Sequence, residues 1–179
     1  MPLPATWGTS PQEILQPFPC DSWGQGPNAA FYRGITVKAA AEVLFPWLCQ
    51  MRVAPYSYDW IDNLGRSSPR NLIPGLDKLA VGQRMMTIFE IIAFERNRHI
   101  TLRLRPKAIG SRLGGDCLVS YLIVPQTGST CRLLVKLMVP YYPGPLPWLL
   151  RTFLAWGDWI MMRRQLLNFK ALAEQPHGS

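Results

Sequence analysis

The chain reads as an α+β domain: a curved antiparallel β-sheet wrapped around a long C-terminal α-helix, with two short helices near the N-terminus. Three observations lead there. Four β-rich runs follow one another between Met85 and Pro140, one helical pattern closes the chain from Pro147 to Ala173, and a strand with two short helices precedes the meander. At 179 residues, 48% hydrophobic and 17% charged, the chain has the length and composition of a single globular domain.

Residues 1–28 form an N-terminal arm rich in Pro and Gly that carries Trp7, Phe18 and Trp23. Such a composition disfavours a regular helix, yet three large aromatics are costly to leave in water, so the arm is expected to lie extended across the body. The domain proper runs over 29–173, and 174–179 is a tail. Phe31 to Val37 reads as the first strand and Ala39 to Gln50 as a helix that Pro46 kinks or shortens. Ser57 is placed to cap a second short helix, Tyr58 to Leu64, with Asp59 in its first turn and Gly65 after its end. A long loop, Arg66 to Val81, is punctuated by Pro69, Pro74 and Gly75.

The β-rich runs are Met85 to Phe94, Ile100 to Pro106, Asp116 to Pro125 and Thr130 to Pro140. In the final helix Leu149, Phe153, Trp156 and Ile160 share one face, and the first half is apolar almost all round. That pattern calls for contact on two sides, and a helix of this length laid along a curved sheet leaves a cavity beneath it.

This order of elements resembles the helix-grip superfamily, which includes START domains, the birch-pollen-allergen fold and the polyketide cyclase/dehydrase-like proteins. The resemblance covers about 29–173 and is carried by ITVKAAAEVLFPWL, PYSYDWIDNLGRSSPR, LAVGQRM, IFEIIAFERNRHITLRL and WGDWIMMRRQLLNFKALAE. It implies a bacterial-type polyketide cyclase/dehydrase-like or lipid-transport-like protein, with no universal catalytic residues.

Functional residues are sought first between Pro46 and Arg84, where aromatics, carboxylates and arginines concentrate. Tyr56, Tyr58, Asp59, Trp60 and Asp62 are the leading ligand-binding candidates. On a helix Tyr58 and Asp62 share a face, and a phenol beside a desolvated carboxylate is suited to polarising a carbonyl, so Tyr58 and Asp59 are the catalytic candidates if the protein is an enzyme. The alternative is structural: Asp59 caps or pairs, Trp60 packs in the core and the tyrosines bond backbone. Arg52, Arg66, Arg70 and Arg84 flank the segment, either to orient a ligand carboxylate or phosphate or as solvated charges.

Two further acids interrupt apolar elements. Glu90 is an anchor if it faces the cavity and a surface charge near Arg103 if it faces out. Asp158, beside Trp156 and Trp159, either projects toward a ligand with Trp156 or emerges on a wet face with Arg151. His99 and Cys49 have no partners that read as a catalytic arrangement.

Composition narrows the function classes. The four cysteines form no CxxC pair, which disfavours structural zinc and a disulfide framework and fits a reducing cytoplasm. The N-terminal stretch lacks the basic start and apolar core of a secretory signal. Six Lys or Arg and no acid lie between Arg96 and Arg112, but aromatics are not interleaved with them, so the stretch reads as a solvated sheet face without specific nucleic-acid binding, weak contact with an anionic membrane surface being the alternative. The expected partner is a hydrophobic or amphiphilic small molecule bound between sheet and helix without metal or nucleotide cofactor. The alternatives are a cyclase or dehydratase acting in the same cavity and an interaction protein using its basic surface.

Overall fold

The computed structural model describes residues 5–24, 28–58, 60, 65, 67–105, 117–140 and 145–175, with side chains of the last segment described from residue 155. The strands are β1 (Thr6–Trp7), β2 (Asn28–Val37), β3 (Arg84–Met85), β4 (Phe89–Glu95), β5 (His99–Leu104), β6 (Leu118–Pro125) and β7 (Cys131–Pro140). The helices are α1 (Pro11–Leu15), α2 (Ala41–Cys49) and α3 (Pro145–Ala173), with 3₁₀ turns at Pro19–Ser22 and Gln50–Arg52. Sheet order is β1-β2-β7-β6-β5-β4-β3. Every pairing is antiparallel except β1 with β2, so the opening strand closes against the last strand of the meander. The expected α+β architecture is present.

Strand alternation assigns the two faces. Val37, Leu133, Val135, Val119, Tyr121, Ile123, Ile100, Leu102 and Ile91 face α2 and α3 and form the main core with Leu44, Phe45, Leu166 and Phe169. The opposite face carries Tyr32, Leu118, Leu122, Leu134 and Met138, and the N-terminal arm covers it with Phe18 and Cys20. Both faces of the sheet are therefore dry over much of their area. At roughly 1.5–3 kcal/mol for each large apolar side chain removed from water, this second layer contributes substantially.

The arm contains regular structure that its composition disfavoured. Ser10 and Glu13 form a capping box: Ser10 N–H donates to Glu13 Oε2 (2.8 Å) and Glu13 N–H to Ser10 Oγ (3.3 Å), which suffices to hold the single turn of α1 behind Pro11. Arg132 on β7 then donates to both Glu13 oxygens (2.7 and 2.9 Å) and to Gly8 O (2.7 Å). Lys136, next on that face, pairs with Asp21. A Cβ at Gly8 would sit 2.1 Å from Gly34 O, and Gly8 has φ +69, so only glycine allows the arm this close to β2.

The run read as one strand from Met85 to Phe94 is a hairpin. Met86 (φ 46) and Thr87 (φ 64) take left-handed backbone and reverse the chain between β3 and β4. Neither residue type favours that region, and the turn is held by Met86 N–H to Met51 O (2.8 Å) and Arg105 N–H to Ile88 O (2.9 Å).

The long helix begins two residues before the sequence expectation and spans 29 residues, or ~44 Å. Its backbone runs closest to β2 and α2. Leu166, Phe169, Leu172 and Ala173 seal its C-terminal half against the core, while Trp156 and Ile160, expected on a packed stripe, are 44% and 47% exposed. The packed stripe is offset and runs through Ala155, Gln165, Leu166 and Phe169. No helix among the described residues is long and apolar enough to cross a membrane, and no cluster of His, Cys, Asp or Glu among them is fit to hold a metal.

Candidate functional site

Two places concentrate polar chemistry. The first lies between the sheet and α3. Arg33, on the inward-facing side of β2 and 1% exposed, donates from Nη2 to Asp158 Oδ2 at 2.9 Å. Its Nη1 donates to Ala5 O (3.0 Å) and Tyr32 O (2.9 Å), which ties the guanidinium to the edge where the arm joins the sheet. Farther along α3, Tyr121 O–H from β6 donates to Gln165 Oε1 at 2.7 Å, and Gln165 Nε2 donates to Pro55 O. Those bonds join the middle of the sheet, the helix and the start of the Tyr56 segment.

Burial dominates the electrostatics here. Desolvation pushes the Asp158 carboxyl up to about 6, with Arg33 opposing the shift by charge and hydrogen bond. Desolvation likewise lowers the Arg33 pKa against the pull of Asp158. The Tyr121 phenol is raised by burial and by the Asp158 charge, so it stays a neutral donor, and the Cys117 thiol is pushed up to about 12 by the same two causes. Arg33 Nε and Trp159 Nε1 are, like Gln16 Nε2, Trp47 Nε1 and Arg103 Nε elsewhere, buried donors without a hydrogen-bond partner among the described residues. Buried N–H groups without acceptors are uncommon and invite an explanation.

The second place is a cleft of about 260 Å³ on the flank of α3, between that helix and residues 56–58, Trp60 and 67–70. Tyr56, Tyr58, Trp60 and Arg70 from the sequence candidates line it, with Arg164 and Asn168 from the helix. Tyr56 is 1% exposed and structural in its bonding: its O–H donates to Pro69 O (2.8 Å), its own carbonyl accepts from Asn168 Nδ2 (2.8 Å) and its ring packs on Phe169. Trp60, read as a core residue in the structural alternative, is 75% exposed.

The other candidates are scattered. Arg52 donates to Leu76 O (3.2 Å) and Lys78 O (3.4 Å), holding the loop before β3. Glu90 is in register with Arg103 and Arg84, on the sheet face opposite α3, away from the Asp158 pair. Arg84 is exposed on β3, and Trp156, 44% exposed, stacks edge-on against Trp159 at 6.0 Å. Asp158 turns inward to Arg33 and not to the wet face. Asp59, Asp62, Arg66 and most of the expected Tyr58 to Leu64 helix lie outside the described residues, as does Lys107–Arg112 of the basic stretch; Gly65 has φ +78, as a helix stop requires.

Arg33 was missed from sequence because a lone arginine in a strand reads as outward-facing. The signal available was its place in the apolar run FYRGITV. The cysteines are free, and Cys49, raised to about 12 by burial, is an inert thiol.

No protein-family model and no curated protein matches the chain. Solved structures do. A truncated norcoclaurine synthase from Thalictrum flavum superposes with a TM-score of 0.54 at 12% identity over 86% of this chain and 99% of that one. The same enzyme in complex with dopamine and hydroxybenzaldehyde gives 0.52 at 11% over 87% and 95%. The di-domain ARO/CYC StfQ from the steffimycin biosynthetic pathway gives 0.51 at 13% over 83% of this chain, which spans about half (51%) of that one. Identities this low carry the architecture and no reaction. The chain has the helix-grip fold of the START and birch-pollen-allergen type.

Proposed function

We propose that the protein binds a hydrophobic or amphiphilic small molecule between the sheet and α3. The observation that carries this reading is the half-satisfied polar group at that interface: Asp158 and Arg33 paired in a dry setting, with Arg33 Nε buried and without a partner among the described residues, as is Nε1 of Trp159, the residue after Asp158 on α3. A ligand carbonyl, hydroxyl or carboxylate is the natural acceptor for such donors. Leu102, Val119 and Val135 on the same sheet face supply apolar wall, and a few placed polar groups on an apolar wall are the usual make-up of a small-molecule site. The similarity to a norcoclaurine synthase holding dopamine and hydroxybenzaldehyde, small aromatics with polar ends, supports the same ligand class. The free cysteines favour a reducing, cytoplasmic setting.

Native mass spectrometry of the full chain purified from its own host tests this reading. A retained mass of a few hundred daltons that is lost on denaturation is the expected result. A protein that is empty as isolated and takes up no aromatic or lipid-like probe in titration contradicts it.

A second reading, a cyclase- or dehydratase-type enzyme in the same space, is favoured by one observation. A carboxyl near 6 is poised to give and take a proton at neutral pH. Of the other sequence candidates, Tyr58 lines the flank cleft and not this space, and Asp59 lies outside the described residues.

A further inference from the structure

The cleft on the flank of α3 is separate from the sheet–helix interior, and no strand residue lines it. Its helix side is a single stripe, Arg164, Asn168, Ala171, Leu172 and Gln175, and its other described wall comes from residues 56–58, Trp60 and residues 67–70. Arg70 and Arg164 both border it, both are exposed, and neither has an ion-pair or hydrogen-bond partner among the described residues.

Most other described arginines are engaged, Arg84 on β3 excepted. Arg33, Arg52, Arg96, Arg98 and Arg132 each engage a carboxylate or a carbonyl, and Arg103 and Arg163 lie over tryptophan rings. Two guanidinium groups on one concavity, with neither an ion-pair partner nor a lining carboxylate among the described residues, leave a positive field that an anion would relieve. Arginine's planar fork is matched to the paired oxygens of a carboxylate, phosphate or sulfate.

The remaining lining adds a second requirement. Trp60, 75% exposed, and the nearby Leu172 and Ala171 offer an apolar wall, while Tyr58 and Ser67 supply hydroxyls. A large aromatic standing in water at the rim of a cleft is a contact surface for a ring or short chain. Asp59, Asp62 and Arg66 belong to the same segment and lie outside the described residues.

We infer that this cleft is a second binding site, for a soluble small molecule that carries an oxyanion and an aromatic or apolar portion. The two arginines hold the oxyanion and Trp60 covers the apolar part. The site does not depend on occupancy of the sheet–helix interior, because the two share no described lining residue among Arg33, Asp158, Tyr121 and the cleft wall.

Phenyl phosphate titrated into the full chain, read by tryptophan fluorescence and calorimetry, tests it. Saturable one-to-one binding is expected, weakened about tenfold or more by Arg70→Gln and by Arg164→Gln and unchanged by Arg84→Gln on β3. Inorganic phosphate and phenol should each bind at least tenfold more weakly than phenyl phosphate. Both arginines are exposed, so the variants should fold, as circular dichroism would verify. The inference is overturned if phenyl phosphate does not saturate, if the Arg70 and Arg164 variants bind as the parent does, or if the arginine-dependent binding is seen only with phosphatidic acid vesicles. Nile red, an uncharged probe, should bind the parent and both arginine variants equally, so failure of the interior reading and failure of this one are separable.

Discussion

Arg33 and Asp158 stand 125 residues apart in the chain and meet at 2.9 Å, joining β2 to the middle of α3. Both partners are desolvated, and in each the cost of burial exceeds what the pairing returns. The pair is therefore better suited to a site than to a staple.

Its pH dependence follows. The Asp158 carboxyl titrates near 3.8 when unfolded and at about 6 when folded, so between those values the folded state holds the extra proton. Stability should fall as pH rises from about 4 to about 6, by about 3 kcal/mol from this group, and then level off. Asp158→Asn, which resembles the protonated acid, should lose that slope and be no less stable than the parent at pH 7. Urea melts across the range would check it, and a loss of 3–5 kcal/mol in the variant at pH 7 would mean that the ion pair is net stabilising.

Tyr121→Phe should destabilise the fold by about 1–3 kcal/mol. The change removes the donor to Gln165 Oε1 and leaves a buried carbonyl without its partner while conserving nearly all packing. Chemical denaturation gives the value directly. An unchanged midpoint would mean that Gln165 finds another donor.

Phe18→Ala tests the arm. Phe18 is 2% exposed, packs edge-on against Tyr32 at 5.9 Å and covers the outer sheet face with Cys20. A loss of about 3–5 kcal/mol is expected, with increased binding of a hydrophobic dye as Leu118 and Leu134 become accessible. A loss below about 1 kcal/mol would make the arm a loosely held appendage.

The second functional reading is separated from the first by Tyr58→Phe and Asp59→Asn. If the protein is only a binder, each change should alter ligand affinity by no more than about 0.5–1.5 kcal/mol. If these residues do acid–base work, turnover of the identified ligand should fall ~10²–10⁴-fold with binding intact. Unchanged affinity and unchanged conversion in both variants would assign them structural roles.

The meander, the closing helix and the first strand were legible because their periodicities are long and bounded by Pro and Gly. The hairpin at Met86–Ile88 was not, since Met86 and Thr87 are residue types that do not announce positive φ and are held there by tertiary bonds. Glu90 could not be placed from alternation because the arm makes both faces of β4 apolar, so the pattern carries no sense of inside. Of the candidate site, Asp158 was identifiable as an acid on an apolar helix, but its partner was not. The pairing spans most of the chain, and no local pattern encodes it. The cluster at Tyr56–Arg70 was found as a group, although Tyr56 spends its hydroxyl and carbonyl on backbone and helix contacts.

The most direct test of the central claim is a ¹⁵N-resolved NMR titration of the full chain with 2-naphthol, an aromatic probe with one polar end. Binding between sheet and helix predicts saturable shifts at the Trp159 indole N–H and at the amides of Arg33, Leu102, Val119, Tyr121 and Asp158, with the Trp159 indole resonance moving as its unpartnered donor gains an acceptor. Shifts confined to the exposed flank around Trp60 and Arg70, with the Trp159 indole signal unmoved at saturation, would contradict it.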